Sequence, residues 1–164
     1  MNSNLTPWAR VATVWPLGII PFAPGTWGSI PGLLLAAAIA LFSQFLEGIS
    51  GISLYAWITL ILIGLSFLSE KIIRRAEHDL GNHDDKRIVI DEVIGQAIAV
   101  AFFPIGWTNY LVGFILFRFF DILKPGPINF FDKKVKSAWG TLLDDVIAGI
   151  FSGACLYLIS QYLL

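Results

Sequence analysis

Ile88 to Phe103 reads IVIDEVIGQAIAVAFF, an apolar run in which two adjacent carboxylates, Asp91 and Glu92, stand near the start. A charged side chain at the centre of a bilayer costs roughly 2.5 to 3.5 kcal/mol, so a pair facing lipid would cost about twice that. The run therefore needs a metal ion, a partner cation, or a place at the membrane surface. Working outward, Pro104-Ile105-Gly106 is a turn signal, and Trp107 to Phe120 is a second apolar run. Both runs are shorter than the roughly 20 residues that cross a bilayer untilted, so they predict a helical hairpin, either crossing or re-entrant.

The flanks extend this pattern. Ile30 to Leu46 and Ile52 to Leu68 each have about the length and apolarity of a membrane helix. Together they predict an antiparallel pair, and Leu142 to Leu164 supplies a last helix. Prolines at 16, 21 and 24 keep the first stretch from being one straight helix and make it interfacial. Ser69 to Arg87 is charged and amphipathic, and Asp121 to Gly140 is a second polar connection. The whole is an all-α polytopic membrane bundle of about four to five segments, a single domain over residues 1–164. A hydrophobic content of 56% and a mean hydropathy of +0.73 agree with it. No removable signal peptide is expected, because no long apolar run ahead of a small-residue cleavage site opens the chain.

Charge gives orientation and excludes classes. The net charge is only −1, which gives no field for nucleic acid. All 11 Lys and Arg residues fall in the N-terminal segment, in 69–87 or in 118–136, which places these regions in the cytoplasm by the positive-inside rule. Of the 12 acids, only Glu47 falls on the other side. Five crossings would leave the C-terminus outside. With 1 Cys and 2 His, a zinc site of the usual kind is excluded, and Cys155 reads as core filler. His78-Asp79 and His83-Asp84 imitate a metal-dependent phosphohydrolase dipeptide, but the chain has no further histidine to complete it.

Four polar groups converge on the cytoplasmic side: Pro24 to Ser29, Asp91 with Glu92, Arg118 with Asp121 and Lys124, and Asp144 with Asp145. Pro24 to Ser29 (PGTWGS) reads as a polar hinge before a helix, with Thr26 or Ser29 as N-cap. Small residues at a helix N-terminus also expose backbone N–H groups to an anion. Asp91-Glu92 and Asp144-Asp145 suit the first turns of helices, where the dipole favours negative charge. Adjacent acids repel, however, and gathering several is tolerable mainly around a hard cation such as Mg2+. Arg118 and Asp121, three apart, can pair locally. Lys124 precedes Pro125, where a helix should end, and its cationic side chain could hold a phosphate.

PGTWGS at 24–29, DLGNHDDKRIVIDEVIG at 79–95, FRFFDILKPGPI at 117–128 and GTLLDDVIAG at 140–149 together resemble the phosphatidylglycerophosphatase A family. The resemblance implies a magnesium-dependent phosphatase of the bacterial inner membrane, acting on an anionic phospholipid and removing the terminal phosphate of phosphatidylglycerophosphate. It implies an acidic site of Asp91, Glu92, Asp121, Asp144 and Asp145, with Asp91, Glu92, Asp144 and Asp145 toward metal. Thr26, Ser29, Arg118 and Lys124 fall on the phosphate side. The chain departs from the family at Gly126, where a Trp is usual, and at Ala138-Trp139, where a glycine pair is usual. The rival reading from another class is a divalent-cation transporter or binding protein using intramembrane acids.

Overall fold

The computed structural model describes residues 5–83, 85–126, 128, 135 and 137–162. Six α-helices and one short 3-10 turn make up the regular structure of these residues, with no strands. They are α1 (Pro7–Ala12), α2 (Pro24–Ser50), α3 (Leu54–Leu80), α4 (Ile90–Val100), α5 (Trp107–Leu123) and α6 (Ala138–Tyr162), the 3-10 turn being Leu17–Ile19. Asp84, Pro127, Asp132, Lys133, Lys134 and Lys136, assigned above to the polar connections, lie outside the described residues. Three helices, α2, α3 and α6, are long and apolar enough to cross a membrane.

The centre of the bundle is α4, the helix of the two carboxylates. It has 11 residues, a length of about 16 Å against a hydrocarbon core of about 30 Å. Eight of its residues are buried, including Asp91, Gly95 and Gln96. Helices α2, α5 and α6 pack on it, and their outer faces carry the exposed apolar side chains expected of lipid contact, among them Leu34, Phe45, Ile115 and Tyr157. An apolar core of Ile39, Ile58, Leu62, Val100, Phe117 and Leu156 fills the space between the helices below the acids.

Several boundaries differ from the sequence expectation. Helix α2 begins at Pro24 rather than Ile30, so PGTWGS is helical and not a hinge. Proline suits a first helical position, since its missing N–H would have no partner there. Ala23, at a left-handed φ of 48°, supplies the bend before it, and no side chain caps this end. Thr26 and Ser29 are therefore inside the helix, and Ser29 donates to Gly25 O at 2.8 Å. Helix α3 continues through the charged stretch to Leu80, burying Ser69, Glu70, Ile72, Ile73 and Ala76 and turning Arg74 and Arg75 outward. It ends at Gly81, whose left-handed φ of 68° lets its N–H reach His78 O. Asp121 is still in α5, and α6 starts at Ala138, before Asp144 and Asp145. Trp139 earns its place in a T-shaped contact with Phe67, ring centroids 5.2 Å apart. Gly126 takes a φ of +57°, which a tryptophan there would adopt only under strain.

The N-terminal arm closes over the loop that leads into α4. Val89 donates its backbone N–H to Ala12 O at 3.0 Å. Gly18 lies so close that a Cβ on it would stand 2.1 Å from Arg87 O. Trp8 stacks under Arg75 of α3, and Thr6 bonds Asp79, so the arm is tied to α3 as well.

Candidate active site

The site forms where the N-terminal ends of α2, α4 and α6 meet the C-terminal end of α5. Helices α4 and α6 cross at Gly95 and Gly149, where a Cβ on Gly149 would lie 2.3 Å from Gly95 O. Small residues let helix backbones approach this closely. Asp91 and Asp145 each lie four residues, one turn, before these glycines, so the crossing sets the two acids side by side. Asp91, Glu92 and Asp145 each bring a carboxylate oxygen within 4.8 Å of the others. Asp91 and Asp145 are buried, at 6% and 4% exposure. Glu92 donates its backbone N–H to Asp91 Oδ1 at 3.1 Å, which fixes one oxygen of the pair.

The cations stand around this trio. Arg118 pairs with Asp121 at 2.7 Å, one turn apart on α5, and also donates to Ser29 Oγ of α2 at 3.2 Å. Lys124 ends α5 in a left-handed conformation and pairs with Asp144 Oδ2 at 2.5 Å. Asp144 is thus held by Lys124, beside the trio and not in it. The five acids, Arg118 and Lys124 line a cavity of about 280 Å³ with Ala23, Pro24, Gly25, Asp85, Lys86, Ile88 and Thr141.

Of the residues singled out from the sequence, the structure brings Asp91, Glu92, Asp121, Asp144, Asp145, Arg118 and Lys124 to this cavity. Ser29 is buried behind it, against Arg118, and Thr26 is not among the lining residues. The backbone N–H groups of Thr26 and Trp27 both donate to Ala23 O, and Pro24 has none. Among the first four residues of α2, only Gly25 therefore keeps an N–H for an anion. His83 turns instead to Glu77, at 2.7 Å. Asp85, Lys86 and Thr141 were not anticipated; the run of charge just ahead of Ile88 was the available signal for the first two.

The donor set fits a hard divalent cation. It offers oxygens alone, from three carboxylates whose mutual repulsion a cation would relieve. Glu92 Oε2 and Asp145 Oδ1 are buried and have no hydrogen-bond partner among the described residues. Buried carboxylate oxygens without a donor are costly, and coordination is one way to satisfy them.

A bundle of apolar helices that gathers acids and cations around one cavity defines a helical membrane protein with an acidic centre able to hold a divalent cation. The comparisons with known proteins narrow this class. The family model for phosphatidylglycerophosphatase A matches residues 10–160. Phosphatidylglycerophosphatase A of Haemophilus influenzae is 37% identical over 164 residues, covering 99% of this chain and 94% of the relative. The Escherichia coli protein of the same name is 32% identical over 157 residues, covering 95% and 85%. A Bacteroides thetaiotaomicron relative, named provisionally as a phosphatidylinositol-3-phosphatase, is 34% identical over 146 residues, covering 87% and 86%. No solved structure gives a significant match. The chain belongs to the phosphatidylglycerophosphatase A family. It is by class a phosphoric monoester hydrolase and a bacterial membrane protein.

Proposed function

We propose that this protein hydrolyses the terminal phosphate monoester of phosphatidylglycerophosphate, giving phosphatidylglycerol and phosphate, with Mg2+ as cofactor. The observation that carries the reading is the carboxylate trio beside Arg118 and Lys124 in one cavity, in a chain of this family. Names of relatives that act on phosphate monoesters of phospholipids support the substrate class. The distribution of Lys and Arg supports a cytoplasm-facing site in the inner membrane.

Asp91, Glu92 and Asp145 would hold the cation. Bound there, Mg2+ supplies charge neutralisation at the phosphoryl oxygens and a template for in-line attack. The protein's own groups do the rest. Asp121 and Ser29 both hold Nη1 of the Arg118 guanidinium, which fixes that edge and leaves its other N–H groups to meet the equatorial oxygens. Lys124, anchored on Asp144, adds positive charge at the same end. A water attacks phosphorus and gives its proton to a carboxylate oxygen of the trio, the bond to the glycerol oxygen breaks, and the protonated carboxyl returns that proton to the leaving oxygen. The buried position of the acids limits water around the reacting group and strengthens each of these interactions.

The test is phosphate release from phosphatidylglycerophosphate by detergent-purified protein. Release should need Mg2+, stop on chelation, and fall by at least about a hundredfold in Asp91→Asn, the scale of a lost electrostatic contact to the transition state. Undiminished release in EDTA, or in folded Asp91→Asn, would overturn the reading. Mg2+ flux through liposomes without phosphate release would favour transport instead.

A further inference from the structure

Lys86 is a cation of the cavity wall that the chemistry above leaves unused. Asp85 to Ile88 form a tight turn, closed by Ile88 N–H to Asp85 O at 2.8 Å. Its backbone is held on both sides. Arg87 folds back on Asp85 through Nε at 2.8 Å and a second nitrogen at 2.7 Å, and Val89 is bonded to the N-terminal arm. The turn thus presents two basic residues with different fates. Arg87 is spent on Asp85, whereas Lys86 is exposed, lines the cavity, and has no ion pair among the described residues. The other cations of the wall, Arg118 and Lys124, are engaged with Asp121 and Asp144.

Depth orders these groups. Asp91, Asp144 and Asp145 are buried, Glu92, Asp121, Arg118 and Lys124 are half-buried, and Lys86 is exposed at the rim. A cavity of about 280 Å³ accommodates a glycerol phosphate but not a diacyl lipid. With the reacting monoester among the acids, the rest of the substrate must leave through the mouth. The next charged group along it is the phosphodiester that carries the diacylglycerol.

We propose that Lys86 binds this phosphodiester and makes the enzyme selective for lipids that carry a second phosphate beyond the one removed. The inference rests on the proposed function. Lys86 contributes to ground-state and transition-state binding alike, because the diester does not change during the reaction. It is a specificity residue and not part of the reacting centre.

The experiment compares wild type, Lys86→Met and Lys86→Arg in detergent micelles. In Lys86→Met, KM for phosphatidylglycerophosphate should rise about three- to fivefold, the effect of one solvent-exposed ion contact, with kcat within about twofold. Lys86→Arg should restore KM. The two products separate the two phosphates: inhibition by phosphatidylglycerol, which keeps the diester, should weaken in Lys86→Met, while inhibition by inorganic phosphate should not. The difference in KM should shrink as salt is raised. An unchanged KM, or equal weakening toward both products, would overturn the proposal. Failure of the wild type to release phosphate would instead overturn the function on which it rests.

Discussion

Replacing Gly25 with alanine tests whether the carboxylate geometry of the site is set by helix packing. Gly25 is the second residue of α2, and its Cα faces Glu92 across the cavity wall. A Cβ there would stand 2.2 Å from Glu92 Oε1 and 3.3 Å from an Arg118 terminal nitrogen. An ordinary carbon–oxygen contact is about 3.3 Å, so the carboxylate must withdraw by about 1 Å. A misplacement of about 1 Å costs on the order of a hundredfold in rate, or about 2.7 kcal/mol of barrier. The stability cost is small, because the group that yields is the free end of a flexible side chain, and alanine is favoured over glycine in helices by up to about 1 kcal/mol. Gly25→Ala should therefore keep its melting temperature in detergent and lose about a hundredfold in kcat for phosphate release. Gly28→Ala is the contrast. Its Cβ would meet Val89 Cβ at 2.6 Å and Val89 O at 3.1 Å, so it should lower the melting temperature itself. A stable Gly25→Ala with kcat within about threefold of wild type would show that the position of Glu92 does not matter to the reaction, and would refute the argument.

Other positions make narrower predictions. Gln96 is fully buried on α4, and neither polar atom of its amide has a partner among the described residues. Gln96→Met keeps the volume and removes the desolvated amide, so it should raise stability by about 1 kcal/mol; a fall of that size in a thermal melt would show that the amide is satisfied after all. The hydrogen bonds of Arg87 hold the Asp85 carboxyl below its ordinary value. A lowered folded pKa means that the stabilisation is complete above the unfolded value, about pH 3.9, and is lost as pH falls through the folded one. Because Arg87 is 44% exposed, the pair is worth about 1 kcal/mol or less. Asp85→Asn should thus lower the melting temperature slightly at neutral pH and lose that difference below about pH 4; a difference that grew toward low pH would contradict the assignment.

How far the sequence can be read depends on the range of the interactions. The first-turn position of Asp91 and Glu92, the local pair of Arg118 and Asp121, and the end of α5 at Lys124 follow from neighbours within four residues, and all were legible. The helical state of PGTWGS was not. Its glycines signal a hinge locally, whereas in the fold their missing side chains let α2 lie against Val89 and Glu92, far away in the chain. The Gly95 and Gly149 crossing that aligns Asp91 with Asp145 is likewise invisible until two distant segments are brought together. Lys86 looked like one charge in a solvated run, because nothing in its local sequence separates it from Arg87. The pairing of Asp144 with Lys124 has the same origin, since two acids adjacent in sequence were given different partners by the fold.

The clasp between the N-terminal arm and the loop before α4 also bears on the order of assembly. The arm is synthesised ahead of α2 and α3, yet the carbonyl of Ala12 and the bare face of Gly18 wait for Val89 and Arg87, which are made only after these two long helices. Until then the arm lacks the loop on which it closes, and the entrance to the site takes shape when that later loop returns to it. The wall that Lys86 and Ile88 give the cavity therefore depends on a contact between segments separated in the chain by α2 and α3.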